Sequence, residues 1–148
     1  MTDRLYTAEA TAEGPRTGRA HSDDGRLDVE LSRPAAMGGD DGPGTNPEQL
    51  FAAGYAACFH SAMRFALRDL GLTPQALEGS SVTAEVHFLR GAPGDFGLGV
   101  DLWARLPQLD DEQARRLMEE THTICPYSRA TAGNVEVGLH VVPASSAA

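Results

Sequence analysis

Residues 45–59 read TNPEQLFAAGYAACF, and this stretch decides the fold. Asn46 offers a side-chain oxygen that can cap a helix. Pro47 suits the first helical position, where its missing N–H costs nothing, and Glu48 lies near the positive end of the macrodipole. A helix is therefore predicted from Pro47 to about Leu70, with Gly71 as its stop. Between Leu50 and Phe59 that helix is apolar or small on every side, so all of its faces need cover. Gly54 with Ala52, Ala53, Ala56 and Ala57 would let another backbone approach closely. A chain of 148 residues has difficulty enclosing such a helix alone, and a second copy is the simplest cover.

On either side of this helix the pattern is mostly strand. Residues 5–11 read as a strand. Asp23-Asp24-Gly25 is a hairpin turn between Arg19 to His21 and the alternation Leu27, Val29, Leu31. A Gly- and Asp-rich loop then fills residues 34–44. After the helix, Val82, Ala84, Val86, Phe88 and then Phe96, Leu98, Val100, Leu102 alternate strictly about a turn at residues 91–94, which predicts a hairpin. Residues 110–123 form an amphipathic helix with Leu117, Met118 and Ile124 inward, and Val135, Val137, Leu139, Val141 make a last strand. Runs of strands with segregated helices indicate an α+β fold. The length suits one domain over residues 1–148.

Composition excludes several function classes. A net charge of −9 argues against a nucleic-acid partner, because such proteins collect phosphate contacts on basic faces. All 12 basic side chains are arginine, which removes lysine-based covalent chemistry. The longest apolar run, Leu50 to Phe59, is about half of what a bilayer-spanning helix needs, and the opening residues carry no signal-peptide stretch. These features predict a cytoplasmic protein without a membrane association. In such a reducing compartment its two cysteines would stay as thiols, and a disulfide between them would be transient and catalytic.

The two cysteines have different settings. Cys58 lies deep in the central helix among alanines and aromatics. Cys125 opens the segment CPYSRAT, residues 125–131, where one helix stops and Pro126 can begin another. Two isolated cysteines would most simply be inert core residues, but the full segments carry more than the cysteines. Together they resemble the organic hydroperoxide resistance (Ohr) branch of the Ohr/OsmC family, a resemblance that extends from about Leu5 to Val142. The tyrosine in CPYS and the run PEQLFAAGY favour Ohr over its sister OsmC.

The resemblance implies an OsmC-like fold with antiparallel sheets around two buried helices in an intertwined homodimer. It also implies a thiol-dependent peroxidase that reduces organic hydroperoxides and needs no cofactor. Such chemistry requires a thiolate to attack a peroxide oxygen, a positive group to steady the departing alkoxide, and a second thiol to capture the sulfenic acid. Cys58 fits the attacker and Cys125 the resolver. The family pattern places an essential arginine in a glycine-rich stretch near the start, which matches Arg16 in EGPRTGRA, residues 13–20, with Arg19 as second candidate. It places an essential glutamate in TNPE, which matches Glu48. A bidentate contact would let Glu48 hold the guanidinium. Family members are recycled by dithiols of the lipoyl type, which the resemblance carries over as the expected reductant.

Magnitudes indicate what the arginine is for. Lowering the Cys58 pKa from roughly 8.5 to roughly 6 would raise the thiolate fraction at neutral pH about thirtyfold. The accompanying loss of nucleophilicity returns roughly tenfold of that gain. Hydrogen bonds to the peroxide oxygens as charge develops are thus the larger contribution. Leu50, Phe51, Tyr55, Met63, Phe96 and Tyr127 can furnish an apolar pocket. Burying three methylenes there, at about 0.8 kcal/mol each, would favour an alkyl or fatty-acid hydroperoxide over hydrogen peroxide by roughly sixtyfold.

Other readings are an OsmC-type peroxidase of broader specificity and a non-catalytic ligand- or metal-binding module. A zinc site at Cys58-Phe59-His60 is disfavoured, because residues two apart on a helix point roughly 200° apart. His60 reads as a helix-face residue, and His21, His87, His122 and His140 read as surface residues without a partner pattern. Glu48 and Cys58, ten residues apart on one helix, would lie roughly 15 Å apart along its axis. That spacing makes a site assembled across a dimer the simplest geometry.

Overall fold

The computed structural model describes residues 3–143. It divides into two compact units whose boundary falls between Leu50 and Phe51, inside a continuous helix.

In the first unit, β1 (Ala10–Glu13), β2 (Arg19–Ser22) and β3 (Asp28–Glu30) form an antiparallel sheet in sequence order. The expected turn forms, with Gly25 at φ 71° and the Asp24 carboxylate accepting from the Ser22 hydroxyl and the Arg26 N–H. The first strand begins later than the sequence predicts. β2 is 4 residues long and pairs from Glu13 only back to Ala10, so residues 5–8 run past the hairpin. Leu5 and Tyr6 are accordingly exposed. A 3-10 turn, Ala35–Met37, lies in the Gly- and Asp-rich loop.

Helix α1 (Pro47–Asp69) starts as its sequence dictates, with the Gln49 N–H donating to Asn46 Oδ1 at 2.8 Å. Gly71, at φ 69°, follows its end. Tyr55, Phe59, Ala62, Met63, Ala66 and Leu67 bury one face of it. The opposite side is open: Ala53, Ala57 and Phe65 are exposed. A helix expected to be covered on all sides is thus covered on one within the single chain.

The second unit contains β4 (Ser81–Arg90), β5 (Phe96–Arg105), α2 (Asp111–Ile124), α3 (Pro126–Thr131) and β6 (Glu136–Val141). β4 and β5 form the predicted hairpin, in register from Ser81 opposite Arg105 to Arg90 opposite Phe96. A reciprocal capping box between Asp110 and Gln113 starts α2, satisfying two orphan N–H groups. β6 pairs in parallel with β5, so the second sheet is mixed where antiparallel sheets were expected. The helices between the two strands cross the chain back to the end where β5 began, which makes the next strand parallel. Val100, Leu102 and Ala104 of β5 pack with the buried face of α1 and with Ala114, Leu117 and Met118 of α2 to form the core.

The other face of this sheet is polar and organised. Asp101 Oδ2 meets His87 Nε2 at 2.9 Å, and Oδ1 meets His140 Nε2 at 2.6 Å. The His140 ring stacks on Trp103 with centroids 4.2 Å apart. Hydrogen bonds from His140 and then His87 hold the Asp101 carboxyl below its usual range. His87 and His140, which sequence leaves without partners, therefore share one. The reason is strand register: the parallel pairing that sets His140 beside β5 is not visible in local periodicity.

Candidate active site

Arg16 sits in the tight connection from β1 to β2. Gly14 takes φ 65°, and a Cβ on Gly18 would collide with the Glu13 carbonyl, so glycine is required there. The loop presents the guanidinium to Glu48 in the first turn of α1. Arg16 Nη1 donates to Glu48 Oε2 at 3.1 Å and Nη2 donates to Oε1 at 2.9 Å. This is the bidentate contact that the sequence leads one to expect, and both side chains are partly buried. The Arg16 hydrogen bonds hold the Glu48 carboxyl below its usual range against the opposing effect of burial. Arg19 is engaged elsewhere: it makes two 2.7 Å bonds to Asp28 across the exposed β2–β3 pair.

Both thiols lie in the second unit. Cys58 is on α1, and Cys125 is the residue at which α2 ends and α3 begins, with φ −57° and ψ 123°. Their sulfurs are 3.6 Å apart across 67 residues of sequence, the Cys125 thiol donating to Cys58. Both are free thiols, Cys125 buried and Cys58 partly so. Burial pushes the Cys58 thiol up, the Tyr127 backbone hydrogen bond works the other way, and the Cys125 contact adds to the rise. A disulfide needs about 2.05 Å between sulfurs, so the pair is one short side-chain movement from bonding.

Of the apolar residues singled out by sequence, Phe51, Tyr55 and Tyr127 meet, with ring centroids 5.7 to 6.1 Å apart. Gly54 makes room for this cluster: a Cβ there would stand 2.8 Å from the Tyr127 hydroxyl. The close approach expected at Gly54 is thus filled by a side chain of the same unit. Tyr55 and Met63 are fully buried, and Leu50 is half-buried. Phe96 is not part of this cluster; it packs on Phe88 at the turn end of the β4–β5 hairpin and is exposed.

Sequence reasoning missed a polar network beside the thiols. His122 Nδ1 is 2.8 Å from Ser128 Oγ, which is 2.8 Å from the Tyr55 hydroxyl. Ser128 and Tyr55 are buried, and burial lowers the His122 pKa, so this histidine is not the surface residue its sequence suggests. The available signal was Ser128 itself, a hydroxyl on the inward face of a short helix, where an unpartnered polar group would be costly. His60, the helix-face histidine, hydrogen-bonds Ser80 Oγ at 2.8 Å. Among the described residues no group of three or more His, Cys, Asp or Glu is placed to hold a metal ion.

Residues 38–140 match the model of the OsmC-like protein family. The chain is 49% identical over 136 residues to the organic hydroperoxide resistance protein of Xanthomonas axonopodis pv. citri, covering 91% of this chain and 93% of that one. A crystal structure of an organic hydroperoxide resistance protein OsmC from Legionella pneumophila superposes with TM-score 0.86 at 43% identity, over 95% of this chain and 100% of that one. OhrB of Bacillus subtilis superposes with TM-score 0.81 at 41% identity, over 94% of this chain and 100% of that one. Sequence and fold agree, and the chain belongs to the Ohr/OsmC family, in its organic hydroperoxide resistance branch.

Proposed function

We propose that this protein is a thiol-dependent peroxidase that reduces organic hydroperoxides to alcohols. The observation that carries the reading is the 3.6 Å approach of two free thiols from distant parts of the chain. The Cys58 thiolate attacks the terminal peroxide oxygen, the O–O bond breaks, and the alkoxide leaves and takes a proton. Cys58 becomes a sulfenic acid. Cys125 then attacks the Cys58 sulfur, expelling water and forming the disulfide, which an external dithiol of the lipoyl type reduces with two electrons.

A thiol raised by burial needs a cation to ionise at neutral pH. We assign that role to Arg16, held in orientation by Glu48; its guanidinium would also steady the negative charge that develops on the peroxide oxygens. Phe51 and Tyr127 would bound the apolar pocket on the Cys58 side, with Leu50, Tyr55, Met63 and Phe96 as its remaining candidates. The open apolar side of α1 at Ala53, Ala57 and Phe65 supports a homodimer built on that helix. Among the described residues no helix is long and apolar enough to cross a membrane. Paired thiols that must be kept reduced suit the cytoplasm.

Mass spectrometry after one equivalent of cumene hydroperoxide tests the reading. The expected product is the alcohol together with a protein lighter by two hydrogens, mapped to a Cys58–Cys125 peptide pair. Unchanged thiols with unconsumed peroxide would sink it and leave a binding module.

A further inference from the structure

The joint between α2 and α3 is a single residue, Cys125. A continuous chain of hydrogen bonds spans it. His122, in the last turn of α2, reaches over the joint to Ser128 on α3 with Nδ1 2.8 Å from Oγ. Ser128 Oγ lies 2.8 Å from the hydroxyl of Tyr55, which precedes Cys58 by three residues, about one turn of α1. Three side chains thus tie the helix carrying one sulfur to both helices flanking the other.

The donors can be counted. Thr131 Oγ1 donates to the Ser128 carbonyl at 3.0 Å, so at its 3.4 Å contact with Tyr55 it can only accept. With His122 neutral, the protons can run in either direction: from Tyr55 O–H to Ser128 Oγ and from Ser128 O–H to Nδ1, or from Nδ1–H to Ser128 Oγ, from Ser128 O–H to the Tyr55 oxygen and from Tyr55 O–H to Thr131 Oγ1. Every proton has a place in both, so the network is satisfied whichever ring nitrogen carries the hydrogen. Tyr55 and Ser128 are at most 1% exposed. Buried polar groups cost free energy unless all are satisfied, and when satisfied they fix one arrangement of the elements that bear them.

We propose that Tyr55, Ser128 and His122 are positioning residues for the second chemical step, holding the Cys125 thiol against Cys58 so that the sulfenic acid is captured at once. This rests on the peroxidase reading above. In the step, the Cys125 sulfur loses its proton, the Cys58 sulfur loses hydroxide, one water forms and the S–S bond closes; no further oxidant is required. The sulfurs must come together by roughly 1.5 Å from their present separation. Loosening the joint would let Cys125 swing away and lower the effective concentration of the capturing thiol.

The test separates the two steps in Ser128→Ala and His122→Leu. In both, peroxide consumption in the first turnover should stay within about threefold of wild type, while Cys58–Cys125 disulfide formation slows at least tenfold. Dimedone should trap the longer-lived sulfenic acid. The disulfide should also be reduced more readily, its equilibrium with a reference dithiol shifting about tenfold toward the thiols. His122→Asn places an amide group near the position of Nδ1, able to accept or to donate there, and should restore rapid closure, a rescue that simple packing loss would not give. Disulfide formation at the wild-type rate in both variants overturns the positioning role alone. Equal slowing of the two steps without rescue by Asn also overturns it, marking the network as ordinary core. A wild-type chain that consumes peroxide without forming the Cys58–Cys125 disulfide overturns this inference and the two-cysteine mechanism together.

Discussion

In residues 1–50 the candidate catalytic side chain is held by charge: Arg16 meets Glu48 through two hydrogen bonds on a loop between short strands that are mostly exposed. In residues 51–148 the two thiols are held by packing, among Tyr55, Phe59, Leu117 and Met118, all of them fully or almost fully buried. The difference follows what each group must do. A guanidinium has to stay ionised and directional, which a carboxylate partner ensures at modest burial. A sulfur that must meet another sulfur within an ångström or two needs neighbours that do not move, and close-packed side chains supply that.

The largest expected effect falls on the packed side. Cys58→Ser should reduce peroxidase activity to background, whereas Cys125→Ser should consume about one equivalent of hydroperoxide and stall with a sulfenic acid. Equal single-turnover rates for wild type and both variants would remove the distinction between attacker and resolver. Next, Phe59→Ala should destabilise the fold by about 3–5 kcal/mol, because Phe59 is fully buried in the core and its loss leaves a cavity. Chemical denaturation measures this. A cost as small as that of a surface substitution would mean that the thiols are not held by the core.

On the charged side, Arg16→Ala should lower kcat/KM by about 10²–10³, as expected for removing a donor to developing negative charge. Arg16→Lys should recover only part, since an ammonium cannot make the forked contact. Mixing Cys58→Ser with Arg16→Ala subunits sharpens the point. Recovered activity would place the charged half and the thiol half of one site on different subunits, and no recovery would place them on one chain. A smaller effect concerns substrate: kcat/KM should be at least tenfold higher for cumene hydroperoxide than for hydrogen peroxide, through apolar burial. Comparable values would indicate OsmC-type breadth.

The smallest effect is on pH-dependent stability. The Glu48 carboxyl is lowered in the folded chain by its hydrogen bonds to Arg16. Its contribution is therefore fully present above the unfolded pKa of about 4.3 and is lost as pH falls through the lower folded value. Glu48→Gln should remove this contribution, on the order of 1 kcal/mol or less for a partly exposed pair. Urea midpoints of wild type and variant should converge as pH drops below about 4. Parallel curves across that range would show that the pair adds nothing to the fold.

Much of this was legible in the sequence where the information is local. The Asn46–Pro47 start of α1, the Asp24–Gly25 turn and the β4–β5 alternation depend on residues a few positions apart, and each formed. The features that escaped depend on long-range register. The parallel placement of β6 cannot be read from its own alternation, and with it went the sharing of Asp101 by His87 and His140. The apolar run of α1 did indicate that a single chain would leave part of the helix uncovered, but not which face: Ala53 and Ala57 stay open because the core packs on Tyr55, Phe59 and Met63. At the site, segment resemblance led to Cys58, Cys125, Arg16 and Glu48. The Tyr55–Ser128–His122 chain was missed because its members are separated by 73 and 6 residues and follow no local pattern.

The stack on the polar face of the second sheet has a practical use. Trp103 is the sole tryptophan of the chain, and it lies against His140 at 4.2 Å and 21°. An excited indole is sensitive to a ring pressed against it, so its emission reports whether the stack is intact. The protein therefore carries an unlabelled optical gauge of the second sheet, free of background from any second indole, and the opening of that sheet in denaturant can be followed by light alone.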